Sequence, residues 1–173
     1  MQINLTDILS RDQKTMDWTV PVEMDSFVSV LGEFPIKDKT PLKLTVVNLG
    51  KDRLRLVGET VLTVVVPCDR CLTDVDTVLE LQIDKEVEIR PADQEGMEEL
   101  VEKEFIFGYN LDVDELVYSE ILVNWPMKTL CKESCKGICR KCGANLNHGT
   151  CDCDTEELDP RMAAIRDIFN TVK

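Results

Sequence analysis

Eight cysteines carry the chemistry that this chain can do: Cys68, Cys71, Cys131, Cys135, Cys139, Cys142, Cys151 and Cys153. An even count is compatible with four disulfides, but that framework belongs to oxidising compartments and to small, core-poor domains. A chain of 173 residues is long enough to bury a core without staples. Its start, Met1-Gln2-Ile3-Asn4-Leu5-Thr6-Asp7, has neither a basic region nor a long apolar one, so no secretory signal is expected. In a reducing cytosol, closely paired thiols bind metal or do redox work. Zinc asks for four thiolates or imidazoles in a tetrahedron. Cys139-Arg140-Lys141-Cys142-Gly143 supplies one edge, and its glycine lets backbone amides turn toward the sulfurs. Cys151 and Cys153, after the turn Asn145-Leu146-Asn147-His148-Gly149, close a first site. Four thiols are left, and counting alone groups Cys68 and Cys71 with Cys131 and Cys135 as a second. The rival is one ion held within the six-cysteine tail, with 68/71 as an independent pair. The expected cofactor is therefore zinc, as one or two ions.

Other chemistries fit less well. A four-sulfur iron centre accepts similar ligands. A thioredoxin-like pair at 68/71 needs a helix N-terminus in a βαβ setting, whereas its surroundings read as antiparallel strands. His148, the single histidine, sits beside Gly149 and reads as a turn residue. An all-cysteine shell leaves no open position for a substrate water, which points to structural rather than catalytic metal. No phosphate-cradling glycine loop and no nucleophile–histidine pair is evident, so no catalysis and no small-molecule substrate are expected.

Charge restricts partners. With 33 acidic against 20 basic residues the net charge is −13, which repels a polyanion on average, and nine aromatics offer few stacking platforms. Residues 128–141 are the exception, where Lys128, Lys132, Lys136, Arg140 and Lys141 oppose Glu133 alone. That cluster either offsets thiolate charge or faces RNA or a ribosomal surface. Arg70, between the first two cysteines, either orders that pair or reaches a partner.

The elements that must hold these thiols follow from periodicity. Ile3 and Leu5 open the chain, and a helical turn capped by Thr6 or Asp7 buries Ile8 and Leu9. Period-two alternation then runs through Trp18, Val20 and Val22; Val28, Val30, Gly32, Phe34 and Ile36; Leu42, Leu44 and Val46; Leu54 and Leu56; Leu62, Val64 and Val66; and Val75, Leu79, Leu81 and Ile83. This describes antiparallel strands with one wet face over about residues 17–90. Residues 91–104 concentrate acid and read as a loop. Asp112 and Glu115 suggest a capping box for a helix near 112–124 that buries Leu116, Val117, Ile121 and Leu122 and stops at Pro126. Residues 127–154 hold six cysteines and almost no aliphatic side chains, so crosslinks or ions must supply the order. Asp159-Pro160 opens a last helix near 160–170. The expected fold is α+β: a mostly-β antiparallel body with a few helices over 1–126, a metal-binding knuckle segment over 127–155, and a closing helix within 156–173 packed on the body. No run approaches the length that crosses a bilayer.

Several of these features coincide in one known family. Cys68-Asp69-Arg70-Cys71-Leu72 after a strand, an acidic middle, a helix ending at Pro126, and Leu130-Cys131 followed by Cys135, Gly137, Cys139, Cys142-Gly143, Asn145-Leu146-Asn147 and Asp159-Pro160-Arg161 resemble the YceD family of large ribosomal RNA subunit accumulation proteins. The resemblance implies a bacterial or plastid protein, cytoplasmic in bacteria, that supports 23S rRNA accumulation and large-subunit biogenesis. Its acidity suggests action through ribosomal or ribosome-assembly proteins. The alternatives are direct contact with rRNA by a zinc-bound module using residues 128–141, or a thiol redox or metal-relay protein. Members of the family differ in the cysteine-rich segment, so metal is expected to stabilise this branch rather than to be a shared working part.

Overall fold

The computed structural model describes residues 1–89 and 105–153; the loop expected at 91–104 and the helix expected near 160–170 lie outside the described residues. The chain divides into two compact units. The first comprises Met1–Pro67 and Asp74–Thr129, and the second takes Cys68–Thr73 together with the chain from Leu130 onward. Loop 68–73, inside the 1–126 body on sequence grounds, thus belongs with the cysteine-rich segment.

Antiparallel strands dominate the first unit. β2 (Thr15–Val20), β3 (Ser26–Ser29), β4 (Gly32–Lys39), β5 (Leu42–Gly50), β6 (Arg53–Pro67) and β7 (Asp74–Glu88) form a six-stranded sheet. Its centre is β6, which pairs with β5 and then β4 along one edge and with β7 over all fifteen residues of the other. Alternation is what makes strands this long: Leu54, Leu56, Leu62, Val64 and Val66 are buried, as are Leu79, Leu81 and Ile83 across the hairpin. Charged residues hold the opposite face, where Arg55 donates two 2.8 Å hydrogen bonds to Asp84 and Lys43 meets Glu59 at 2.8 Å.

A smaller sheet escapes sequence patterning. β1 (Gln2–Asn4), β8 (Ile106–Phe107) and β9 (Asn110–Asp112) pair in the order β1-β9-β8, in strands of two or three residues that are too short to show a period. Two helices complete the described unit, α1 (Thr6–Leu9) and α2 (Val113–Val123). No helix among the described residues is long and apolar enough to cross a membrane.

Three sequence expectations need correction. Leu5, not Thr6 or Asp7, is the N-cap of α1, because the Asn4 side chain already accepts the Thr6 amide at 2.9 Å. In β3 the inward residue is Phe27, while Val28 and Val30 are exposed; a two-residue turn at Val30-Leu31 resets the alternation before Phe34. Phe27 stacks instead on Trp125 and Phe34 and leans on Tyr118. On α2, Asp112 caps as expected, accepting from the amides of Asp114 and Glu115. Its buried stripe is Val113, Leu116, Val117 and Ile121, and it includes Glu120 rather than Leu122. Glu120 tolerates burial because Lys85 of β7 meets it at 2.7 Å.

Candidate metal centres

Two short loops in the second unit share one backbone design. In Cys68-Asp69-Arg70-Cys71-Leu72-Thr73, the Leu72 amide donates to the Cys68 carbonyl at 2.9 Å and the Cys68 amide to Thr73 at 2.8 Å. In Cys139-Arg140-Lys141-Cys142-Gly143-Ala144, Gly143 donates to Cys139 at 2.9 Å and Cys139 to Ala144 at 2.8 Å. Residues just outside each loop pair antiparallel, Pro67 with Asp74 and Ile138 with Asn145. The fifth residue of each is left-handed, Leu72 at φ 59° and Gly143 at φ 74°. The loops are the same turn, wound so that amide N–H groups face the first sulfur.

Each loop meets a second cysteine pair. Cys68, Cys71, Cys131 and Cys135 have all four sulfurs within 4.8 Å of one another, and so do Cys139, Cys142, Cys151 and Cys153. All eight are free thiols. Cys68 Sγ lies 3.9 Å from Cys135 Sγ, and Cys71 Sγ lies 3.5 Å from Cys131 Sγ. A tetrahedron with metal–sulfur bonds of about 2.3 Å has edges of about 3.8 Å. Both distances fit such an edge and exceed the roughly 2.05 Å of a sulfur–sulfur bond. The ceiling of 4.8 Å suits one ion per tetrad, since a cluster of several irons spreads its four thiolates over a larger frame. The two tetrads can hold metal ions, and both are built entirely from sulfur, a donor set that suits zinc.

Electrostatics within each tetrad favours a cation. Burial opposes ionisation of Cys68, yet the backbone N–H groups of Cys131, Arg70 and Cys71 outweigh it and bring the thiol down to about 6. The N–H groups of Cys142 and Lys141 bring Cys139 down to about 6. Cys71 is lowered chiefly by its hydrogen bond to the Thr73 hydroxyl. In the opposite direction, Cys131 is pushed up to about 12 because its thiol donates to Cys71, and Cys153 to about 12 because its thiol donates to Cys142. Each tetrad therefore forms its first thiolate readily and its last one only against the others. A dication at the centre removes that repulsion.

The surroundings fix the sulfurs in place. Arg70 donates from Nη1 to the Cys135 carbonyl at 2.8 Å, while its own carbonyl accepts the Ile138 amide at 3.1 Å. It thus ties the first loop to the segment between the tetrads. Gly137, at φ 78°, lets that segment run close to the loop, since a Cβ there would stand 3.0 Å from the Arg70 carbonyl oxygen. Asn147, read from sequence only as a turn former, donates from Nδ2 to Cys135 Sγ at 3.3 Å and to Asn145 Oδ1 at 2.9 Å. Thr73 also escaped sequence reading, since nothing in a lone threonine announces a hydrogen bond to sulfur.

Lys132, Lys136, Arg140 and Lys141 are exposed in the second unit, and Lys128 is exposed in the first. Across the described second unit, five cations (with Arg70) face three carboxylates, Asp69, Glu133 and Asp152. His148 is exposed and belongs to neither tetrad.

Comparison with known proteins places this arrangement. The family described as "Large ribosomal RNA subunit accumulation protein YceD" matches residues 56–169, a stretch that takes in all eight cysteines. A protein of Arabidopsis thaliana named "Large ribosomal RNA subunit accumulation protein YCED homolog 1, chloroplastic" is 47% identical over 47 residues. That stretch covers 27% of this chain and 13% of the relative. No solved structure matches. Because the family match extends over most of the chain and across both tetrads, the chain belongs to the YceD family of large ribosomal RNA subunit accumulation proteins.

Proposed function

We propose that this chain is a non-enzymatic cytoplasmic factor that supports 23S rRNA accumulation and large ribosomal subunit biogenesis, and that it holds two structural zinc ions. Cys68, Cys71, Cys131 and Cys135 ligate one ion; Cys139, Cys142, Cys151 and Cys153 ligate the other. The observation that carries the role is the family match over residues 56–169. The metal reading rests on two closed, all-sulfur tetrads with tetrahedral spacing. Four thiolates per ion leave no place for a substrate, so the metal shapes the second unit instead of reacting there. The partners are ribosomal or ribosome-assembly proteins with basic surfaces, complementary to the net charge of −13. Two measurements test this. Native mass spectrometry with elemental analysis is expected to find two zinc ions per chain, and one ion or none overturns the metal assignment. Depleting the protein from its host is expected to lower 23S relative to 16S rRNA, with rescue by the wild-type chain; an unchanged ratio overturns the role.

Direct rRNA contact is the second reading, favoured by the excess of cations in the second unit. Binding to a 23S fragment that weakens steeply with salt supports it, and the absence of binding leaves the protein-partner reading.

A further inference from the structure

The two tetrads share side chains that belong to neither, and this joins them into one device. The Ile138–Asn145 pair closes the loop that carries Cys139 and Cys142, and the Leu146 amide donates to the Gly137 carbonyl at 2.9 Å directly beside it. Asn145 and Asn147 emerge from that hairpin and reach the other tetrad. Asn147 Nδ2 donates to Cys135 Sγ at 3.3 Å, its Oδ1 accepts the Lys136 amide at 2.9 Å, and its own amide donates to Asn145 Oδ1 at 3.0 Å. Asn145 Nδ2 lies 3.4 Å from the Thr73 hydroxyl, which in turn bonds Cys71 Sγ at 3.3 Å. The Ile138 amide is held by Arg70, inside the loop of Cys68 and Cys71. Two of the four sulfurs of one tetrad are thus oriented through a hairpin that the other tetrad closes.

Little besides metal can hold this hairpin. Among the described residues of the second unit, the buried apolar side chains are Cys68, Cys71, Cys135 and Cys139, with no buried aliphatic one. An ion at Cys139, Cys142, Cys151 and Cys153 fixes the hairpin, and the fixed hairpin presents both asparagines at no further cost in conformational entropy. Linkage makes the effect reciprocal.

We infer that the two tetrads load cooperatively, and that Asn147 is the positioning residue that couples them by donating its side-chain N–H to Cys135 Sγ. The inference rests on the metal reading above. In its ligand-oriented form the N–H bond also stabilises thiolate over thiol, as groups behind a metal ligand commonly do.

Cobalt(II) reports each step, because tetrathiolate sites give it characteristic visible bands. The full chain titrated with cobalt and sampled by native mass spectrometry is expected to show chains with no ion and with two, and fewer than half with one at the midpoint. Independent sites, equal or unequal, leave at least half the chains singly loaded there. The Asn147→Asp variant keeps an acceptor for the Lys136 amide and the turn itself but loses the donor to sulfur. It is expected to bind the ion of the Cys135 tetrad about 10–100-fold more weakly, the usual range for such partners, with a shifted sulfur-to-cobalt charge-transfer band. A turn-forming role alone leaves both unchanged. Two ions per chain filling independently, or Asn147→Asp indistinguishable from wild type, overturns the coupling and spares the metal reading. Wild-type protein without tetrathiolate bands overturns both.

Discussion

Gly143 and Gly137 both sit in the left-handed region, at φ 74° and φ 78°, and differ in what a side chain would meet there. Nothing lies within 4 Å of a Cβ built on Gly143, whereas one on Gly137 stands 3.0 Å from the Arg70 carbonyl oxygen. Alanine at either position carries the cost of a left-handed L-residue, about 1–2 kcal/mol. It recovers about 0.4–1 kcal/mol because the unfolded chain loses freedom. The net loss for Gly143→Ala is thus about 1 kcal/mol, or roughly 5-fold in affinity. The variant should fold, because Leu72 already occupies the equivalent place in the other loop at φ 59°. Gly137→Ala adds a collision with backbone, which cannot swing aside like a side-chain tip. Relieving it moves the peptide whose neighbours bond Ile138 to Arg70 and Arg70 to Cys135. Two hydrogen bonds at about 0.5–1.5 kcal/mol each bring the total to about 2–4 kcal/mol, or roughly 30–800-fold. Because ordering of this unit is coupled to metal, the loss is read as zinc affinity by competition with a colorimetric chelator. Equal effects of the two substitutions, or a greater effect at Gly143, refute the reasoning, since Arg70 crowds a side chain at Gly137 and nothing crowds one at Gly143.

Chelation is expected to expose the amides of residues 68–73 and 130–153 to hydrogen exchange while the strands of the first unit stay protected; loss of all protection in one step contradicts this. Lys85→Met, which strands the buried Glu120 carboxylate, is expected to cost about 3–5 kcal/mol in denaturant titrations. Lys85→Met combined with Glu120→Leu should recover most of that cost, and a double variant no better than the single one argues against the pair. The thiol shifts set a pH dependence. Cys68 and Cys139, lowered from 9.0 to about 6, contribute to the metal-free fold above pH 9 and lose that contribution as pH falls toward 6. Cys131 and Cys153, raised to about 12, remain protonated at pH 7.5 and must ionise to bind. Zinc affinity should therefore rise with pH, with at least one proton released per tetrad in calorimetry across buffers of different ionisation heat. Release of none contradicts the assignment of these thiols as ligands.

Spacing was the legible part of the site. Two-residue gaps at 68/71 and 139/142 announce turns that can present sulfur, and an even remainder suggests two sets of four. Sequence cannot show that the loops share one hydrogen-bond pattern, because Leu72 in place of a glycine conceals it. It also cannot show Asn147 at a sulfur, since asparagine is an ordinary turn residue until a sulfur twelve positions away accepts its side-chain N–H. In the body, alternation located the long strands wherever charge marked the wet face. It misplaced Phe27 because Val28, Val30 and Leu31 are apolar residues of a hairpin tip that mimic a buried run. It misplaced Glu120 because the compensating Lys85 comes from a strand 35 positions earlier, where no local pattern reaches.

Charge bears on the choice between the two proposed partner classes once bound ions are included. The described second unit has five cations and three carboxylates before any thiol ionises. Eight thiolates around two dications add four negative charges, so the loaded unit is itself net negative. The remaining chain holds 15 of the 20 basic residues against 30 of the 33 acidic ones. With two ions bound, Lys132, Lys136, Arg140 and Lys141 would offset part of the sulfur charge of the described second unit. Binding to bare rRNA through these side chains would release counterions from each phosphate they neutralise and so weaken steeply with salt. On the proposed reading, a basic ribosomal protein would meet a charge complementary to the chain's net −13.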